Sequence, residues 1–399
     1  MLILDFYVFQ VVKMLSQNAA PRTKTIIYAS YWTLSALALF ILFILPIFVD
    51  FPRTVRSVIF AIFIGLFLFK LIASVFFLLD DIRRGIQWLS SRFNRNPDIT
   101  TPREGNISRS VFLSWLGLAV GGGLYSSLLL GFGNKYNYKV KRVALSFDNL
   151  PPAFKGLKIV QLSDIHCGSF TDRAAVAKGV EMANSLKPDL IVFTGDLVNN
   201  KASEMDDYID IFSKLDAPMG VYSIFGNHDY GDYHRWADDD EKFRNRESLK
   251  AIHEQMGWKL LWDEHVVLNK GKDNLALIGV QNWSALSNFP KYGNLGKAVQ
   301  GTESIPFKIL LSHDPTHWDG EIRPKFPDID LTLAGHTHGM QFGVEIPGFR
   351  WSPVQYVYNQ WMGLYEEGRQ KLYINRGYGF IGYPGRVGIL PEITLLEFA

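Results

Sequence analysis

Nine histidines occur in this 399-residue chain, and none lies before residue 166. Five of the nine fall in short polar blocks: Asp164-Ile165-His166, Gly195-Asp196, Gly226-Asn227-His228-Asp229, Ser312-His313 and Gly335-His336-Thr337-His338. Each block follows an apolar run of strand length, at 157–162, 190–193, 221–225, 307–311 and 331–334. In an open α/β sheet the loops at the carboxyl ends of strands converge on one crevice. Asp164, Asp196, Asn227 and five histidines would therefore meet there, with Asp229 beside them. Imidazole, carboxylate and amide donors without thiolate suit Zn, Mn or Fe-type divalent ions. Eight groups exceed what one ion needs and match two ions plus an acid. Singly the blocks say little: Gly-Asp makes turns, Asp-x-His is a common loop pair, and His-Thr-His fits a surface hairpin. Together, in one order and one domain-sized stretch, they imply the chemistry of a dinuclear metal hydrolase.

The order D-x-H, G-D, G-N-H-D, H, G-H-x-H resembles the calcineurin-like metallophosphoesterase superfamily, over about 143 to the C terminus. Two details are most similar to its membrane-attached YkuE-like branch: Gly339-Met340-Gln341, and Gly385-Arg386 followed by Pro391-Glu392-Ile393-Thr394. The resemblance implies an α/β four-layer sandwich, two mixed sheets flanked by helices, with metals at the strand ends. It implies that Asp164, His166 and His338 hold one ion, that Asn227, His313 and His336 hold a second, and that Asp196 bridges both. It further implies that His228 is the acid near the leaving group, oriented by Asp229.

Physical chemistry supports those roles. Two metals ~3.5–4 Å apart clamp the attacking and leaving oxygens of an in-line displacement. A bridging ligand needs two oxygens, which Asp196 offers, and Gly195 lets the backbone approach closely. Asn227 is a neutral oxygen donor and leaves the site electrophilic towards an anionic phosphate. His228 directly follows a ligand, so it lies near the site yet points elsewhere, available for proton transfer. His317, four residues past His313, reads as a partly buried structural histidine.

At 48% hydrophobic and 14% aromatic, the chain can bury a large core. A net charge of +2 without a basic stripe in the C-terminal part argues against nucleic acid as a partner. Cys167 is the only cysteine, which excludes an intramolecular disulfide and a thiolate cluster. Nothing in the sequence calls for an obligate protein partner.

Residues 1–134 read as a membrane region. Apolar runs at about 26–49, 58–79 and 111–132 are each long enough to cross a hydrocarbon core of ~30 Å. The first ends in a turn at Pro46, the second holds only Lys70 as a charge, and the third is rich in glycine at 121–123. Residues 1–15 are apolar but short, and fit an interfacial helix or part of a span. Lys70 should find a partner within the bilayer: Asp5, if residues 1–15 pack along the second run, or else backbone carbonyls or water. A polar loop is expected at 98–105, a linker at 135–148 and the hydrolase domain at 149–399. Within that domain, 174–186 reads as a crossover helix and 235–250 as a solvated one. Trp351, Tyr356, Tyr358, Trp361 and Tyr365 crowd 350–365, as core aromatics or as a surface at headgroup level.

Lys13, Arg22, Lys24, Arg83, Arg84, Arg92, Arg95, Arg103 and Arg109 fall on one side of the spans, nine residues. Arg53, Arg56, Lys135, Lys139, Lys141 and Arg142, six residues, fall on the other. The positive-inside rule then places the hydrolase domain outside the cytoplasm of a bacterial-type inner membrane. Ser108-Arg109-Ser110-Val111-Phe112-Leu113 resembles a twin-arginine export signal whose second arginine is Ser110.

The expected function is a membrane-anchored, dinuclear-metal phosphoesterase that hydrolyses a P–O bond, in a phosphodiester or pyrophosphate of a lipid-linked or envelope substrate. One alternative resembles the UDP-2,3-diacylglucosamine pyrophosphatase of lipid A biosynthesis, with a cytoplasmic active site. Another is a catalytically silent phosphate-binding or scaffold membrane protein, against which the complete donor set argues.

Overall fold

A computed structural model describes residues 1–45, 49, 51–93 and 109–399. Pro46, the expected polar loop at 98–105 and the start of the export-like motif at Ser108 lie outside the described residues. The chain divides into two compact units, Met1–Leu130 and Gly131–Ala399.

The first unit is helical: α1 (Leu2–Leu15), α2 (Pro21–Leu39, extended by one wider turn to Ile44), α3 (Arg53–Phe93) and α4 (Arg109–Gly131). Among the described residues three helices are long and apolar enough to cross a membrane, at Pro21–Ile44, Val55–Ser90 and Ser110–Asn134. They contain most of the three expected runs. α1, at 14 residues, packs Val8 against Ala73 and Phe77 of α3. Its Phe9 ring lies 5.1, 5.4 and 5.2 Å from Tyr28, Tyr31 and Trp32 of α2. Inside this packing the Lys70 ammonium donates to the Asp5 carboxylate, the first of the two alternatives open to it. Ser35 Oγ donates to the same oxygen at 3.1 Å and accepts from Lys70 at 3.0 Å. A charge with no water to face takes whatever partner the neighbouring helices offer. α4 approaches α3 closely at Gly121, where a Cβ would fall 2.7 Å from the Phe69 carbonyl oxygen.

The second unit holds fourteen strands. In chain order these are β1 (Lys139–Leu145), β2 (Lys158–Leu162), β3 (Leu190–Phe193), β4 (Val221–Ser223), β5 (Trp258–Leu260), β6 (Glu264–Lys270), β7 (Asp273–Gly279), β8 (Lys308–Leu311), β9 (Leu331–Ala334), β10 (Val344–Ile346), β11 (Phe349–Trp351), β12 (Gly363–Glu367), β13 (Gln370–Ile374) and β14 (Glu392–Phe398). One six-stranded sheet runs β1-β14-β2-β3-β4-β5 and another β12-β13-β9-β8-β7-β6, while β10 and β11 pair only with each other. β2 to β5 are mutually parallel, as are β7, β8, β9 and β13. β14 against β2, β6 against β7 and β12 against β13 run antiparallel, so both sheets are mixed.

Central strands covered on both faces read as unbroken apolar runs, and that is why the five runs were visible. Ile159, Leu190, Val192, Ile309, Leu331 and Leu333 pack between the sheets. Val160, Ile191 and Phe193 face the other way, onto Val176, Val180 and Ala183 of α5 (Arg173–Ser185) and Leu249 of α6 (Asp239–Gln255). Ile278, Leu310 and Ala334 face Trp318 and Ile322 on the far side of the second sheet. The result is helix, sheet, sheet, helix: the four-layer sandwich.

The linker expected at 135–148 needs correcting. Residues 139–145 form the edge strand β1, parallel to β14 with Lys139 opposite Glu392. Lys139, Lys141 and Arg142 are interspersed with Val140 and Val143, and no residue before Leu145 is fully buried, as suits a charged edge strand.

Candidate dinuclear metal site

The seven donors named from sequence come together from the ends of β2, β3, β4, β8 and β9. His338 Nε2 lies 3.2 Å from Asp164 Oδ1 and 3.1 Å from His166 Nε2. His336 Nδ1 lies 2.8 Å from Asn227 Oδ1 and 3.3 Å from His313 Nε2. Between the two groups stands Asp196 with one oxygen, not the two expected: its Oδ2 lies 3.5 Å from His166 Nε2 and 3.1 Å from His313 Nε2, so a shared ion pair would be bridged through that single atom. Asp196 Oδ1 accepts the backbone N–H of His228 at 2.8 Å, which fixes the carboxylate's plane.

The backbone is strained here. Among the described residues, nine that are not glycine have left-handed φ, and five are donors: Asp164 (52°), His166 (49°), Asp196 (63°), His336 (70°) and His338 (51°). Such conformations cost about 1–3 kcal/mol each and persist only where surroundings impose them. The N–H of Asp164 bonds to the Gly195 carbonyl at 2.9 Å, and that of His166 to the Asp196 carbonyl at 3.1 Å. Gly335 leaves room for this crossing: a Cβ there would fall 1.9 Å from Ser163 Oγ.

The donor set fits metal. Asp164, His166 and His338 form one group whose donor atoms lie within 4.8 Å of one another, and Asp196, His313 and His336 form another. Burial keeps His166 neutral, well below the usual histidine range. Burial opposes the charge on Asp196, yet His313 and His228 beside it hold its carboxyl well below the usual range. Burial likewise opposes a proton on His313, but the Asp196 carboxylate pushes its pKa up to about 10. The site thus attracts positive charge to a place where nitrogen and oxygen lone pairs converge. The outward ring atoms are held as well. His313 Nδ1 is bonded to the Thr194 carbonyl at 2.7 Å, and His336 Nε2 to the Tyr358 hydroxyl at 2.8 Å. Such partners fix which nitrogen faces a metal.

Asp229 corrects the sequence reading. It does not touch His228: the carboxylate accepts backbone N–H groups of Asp196, Leu197, Val198 and Gly226. Burial and the Asp196 charge push its pKa up to about 7. His228 is oriented instead by the Asn199 carbonyl, 2.8 Å from its Nδ1, and by the Tyr233 ring at 4.6 Å. On the tight turn Asn227–Tyr230, consecutive side chains diverge by about 120°, so adjacency in sequence is no guide to contact.

Tyr233 and Tyr358 are residues the sequence reading missed. The Tyr233 hydroxyl accepts from Asn227 Nδ2 at 2.9 Å. Tyr358 belongs to the aromatic stretch at 350–365, but it and Trp361 are buried with Val354, Met362 and Ile389. That half of the stretch is core. His317, as read, is a buried structural residue, bridging Ser312 Oγ (2.8 Å) and Glu321 Oε2 (3.0 Å).

The family described as "Calcineurin-like phosphoesterase" matches residues 157–340. "Probable Calcineurin-like phosphoesterase, transmembrane domain" matches residues 1–134. The Bacillus subtilis metallophosphoesterase YkuE is 30% identical over 249 residues, which cover 62% of this chain and 80% of that protein. The chain belongs to the calcineurin-like metallophosphoesterases. With its apolar helices it is a membrane member of that family. A Danio rerio relative described as "Transmembrane protein with metallophosphoesterase domain" is 31% identical over 265 residues, 64% of this chain and 56% of the relative. The Escherichia coli phosphodiesterase YaeI is 28% identical over 260 residues, 64% of this chain and 86% of YaeI. The chain spans a little over half the length of the Danio rerio and Bos taurus relatives, 56% in each case.

Proposed function

We propose that this chain is a membrane-anchored hydrolase of phosphodiesters that works with two divalent ions, manganese, iron or zinc, and takes a lipid-linked substrate. The observation that carries this reading is the single carboxylate oxygen of Asp196 facing both donor groups. Asp164, His166 and His338 would hold one ion, and Asn227, His313 and His336 the other, with Asp196 between them. Bound there, the pair supplies Lewis-acid stabilisation of charge on a phosphoryl oxygen and lowers the pKa of a water. Asn227 adds an oxygen without adding charge, so an anionic phosphate is not repelled. With Nδ1–H donated to the Asn199 carbonyl, the Nε2 of His228 is the atom that delivers a proton to the leaving oxygen. Proton transfer of this kind contributes about 10²–10⁴-fold. The name of the YaeI relative favours a phosphodiester. The membrane region, matched over residues 1–134, favours a substrate carried by lipid.

The test is turnover. The purified full-length chain in detergent should hydrolyse bis(p-nitrophenyl) phosphate with added manganese and stop on chelation. No turnover with manganese, iron or zinc would leave a phosphate-binding protein in place of an enzyme. The excess of lysine and arginine on one side supports a hydrolase domain outside the cytoplasm of a bacterial-type inner membrane. A reporter fused after Lys135 should then behave as exported; a cytoplasmic reporter would reverse the orientation.

A further inference from the structure

The β10–β11 hairpin carries an exposed apolar face. Its register sets Val344 opposite Trp351, Glu345 opposite Arg350 and Ile346 opposite Phe349. Directly paired residues share a face, and so do residues two apart. Val344, Ile346, Phe349 and Trp351 therefore form one face, Glu345 and Arg350 the other. The polar face makes the side-chain bonds to the protein, although Glu345 and Arg350 are themselves exposed. Glu345 accepts two bonds from Arg376 at 2.7 Å each, and Arg350 Nη1 donates to the Met362 carbonyl at 2.8 Å. On the apolar face Val344, Ile346 (56%) and Phe349 (54%) are exposed, while Trp351 is half-buried beside Phe342. Tyr356, 76% exposed, adjoins it through Trp351, whose Nε1–H points at its hydroxyl at 3.4 Å. A strand pair in water would present the opposite face.

The base of the hairpin is tied to the residues by which the chain leaves α4. The Arg386 N–H bonds to the Gly131 carbonyl at 2.9 Å, and Asn134 Nδ2 donates to the Arg386 carbonyl at 3.3 Å. The next residue, Val387, exchanges backbone bonds with Gln341 (2.8 Å) and Gly343 (2.9 Å), immediately before β10. Gly131–Asn134 close an apolar helix that runs from Ser110. The hairpin thus starts two hydrogen-bonded steps, Gly131 to Arg386 and Val387 to Gly343, from where that helix ends.

We propose that the β10–β11 hairpin is a lipid-binding element, whose Val344, Ile346, Phe349 and Trp351 face enters the surface of the bilayer that α4 crosses. Trp351 and Tyr356 suit the headgroup level, and Ile346 and Phe349 the acyl chains beneath. The turn His338–Gln341 runs directly into this hairpin, and Ser352 Oγ donates to the Gly339 carbonyl at 2.9 Å. The metal-ligand loop is therefore braced against the lipid-facing element. That a lipid-borne phosphate is presented there rests on the hydrolase reading; the lipid contact itself does not.

The test uses the full chain in vesicles of phosphatidylcholine and phosphatidylglycerol, with an environment-sensitive fluorophore at Ile346→Cys, at Phe349→Cys, or at Lys272→Cys on the β6–β7 turn as control. Cys167 is buried and serves as an unlabelled background. Nitroxide-bearing acyl chains should quench the labels at 346 and 349 and spare 272, while aqueous iodide should do the reverse. Labels at 346 and 349 open to iodide would overturn the proposal. Labels shielded from both quenchers would overturn it too, in favour of a second copy or another protein. None of these readings requires turnover. A double Ile346→Ser, Phe349→Ser variant should keep its rate on a soluble aryl phosphodiester and lose about tenfold on a vesicle-borne one, as removal of two immersed side chains would give. Equal rates on both substrates would count against the hairpin.

Discussion

The carboxylate of Asp229 lies beneath Asp196, its Oδ2 accepting the backbone N–H of Asp196 at 2.8 Å. The same oxygen takes the N–H of Gly226 at 2.8 Å, and Oδ1 takes those of Leu197 and Val198 at 2.8 and 3.2 Å. One buried side chain so pins the loop after β3 to the loop after β4, and with it the oxygen that faces both donor groups. Asp229→Ala leaves four buried N–H donors without this acceptor, each worth about 1–3 kcal/mol of desolvation. The expected result is a loss of at least ~3 kcal/mol in denaturant unfolding together with weakened metal retention. Unchanged stability with slowed turnover would return Asp229 to a direct role beside His228.

His228→Ala should behave in the opposite way. Both metals and the melting temperature should be kept, while kcat falls by roughly 10²–10⁴ on substrates with poor leaving groups. On p-nitrophenyl esters, which need less protonation of the leaving oxygen, the loss should shrink. Elemental analysis that finds a missing ion in this variant would make His228 a ligand.

Asp5 and Lys70 form a buried pair within the helical unit. Removing either alone leaves an unpaired charge among apolar helices, at a cost of about 3–5 kcal/mol. In Asp5→Asn with Lys70→Leu the combined loss should be smaller than the sum of the single losses. Detergent melts of the four proteins measure this, and strict additivity would dissolve the pair. Metal content of the second unit should be the same in all four.

His253 gives the second unit a pH dependence of its own. It is buried at the end of α6, Nδ1 2.8 Å from Ser223 Oγ and Nε2 without a hydrogen-bond partner among the described residues. Burial lowers its pKa to about 3. The unfolded chain, with a pKa of about 6.5, takes up this proton first, so stability is full above pH 6.5 and falls as pH drops towards 3. The slope from this group approaches ~1.4 kcal/mol per pH unit. Unfolding followed from pH 7 to 5 should therefore be flatter in His253→Gln than in the unaltered chain. Parallel curves would show that the histidine titrates alike in both states.

Much of this was legible in the sequence, for physical reasons that also mark where legibility stops. The donors were visible because each sits directly after a strand buried on both faces, and such strands are unbroken apolar runs. β1 was not visible, since its partner β14 lies about 250 residues later and an edge strand with a wet face looks like a charged linker. The Asn199 carbonyl that orients His228 is a backbone group and has no signature in residue type. Tyr358 reaches His336 only through the tertiary fold, and Asp229 misled because neighbours on a tight turn point apart. Lys70 could be flagged as needing a partner, but the choice of Asp5 over backbone carbonyls or water depended on how residues 1–15 pack, which residue type alone does not give.

Whether two metal ions share Asp196 is decided by metal content measured together with turnover in Asp196→Ala. The unaltered chain should carry about two divalent ions and hydrolyse an aryl phosphodiester. Asp196→Ala should fall well below two ions per chain and lose measurable turnover while remaining folded by circular dichroism. Two tightly held ions with normal turnover in that variant would contradict the account.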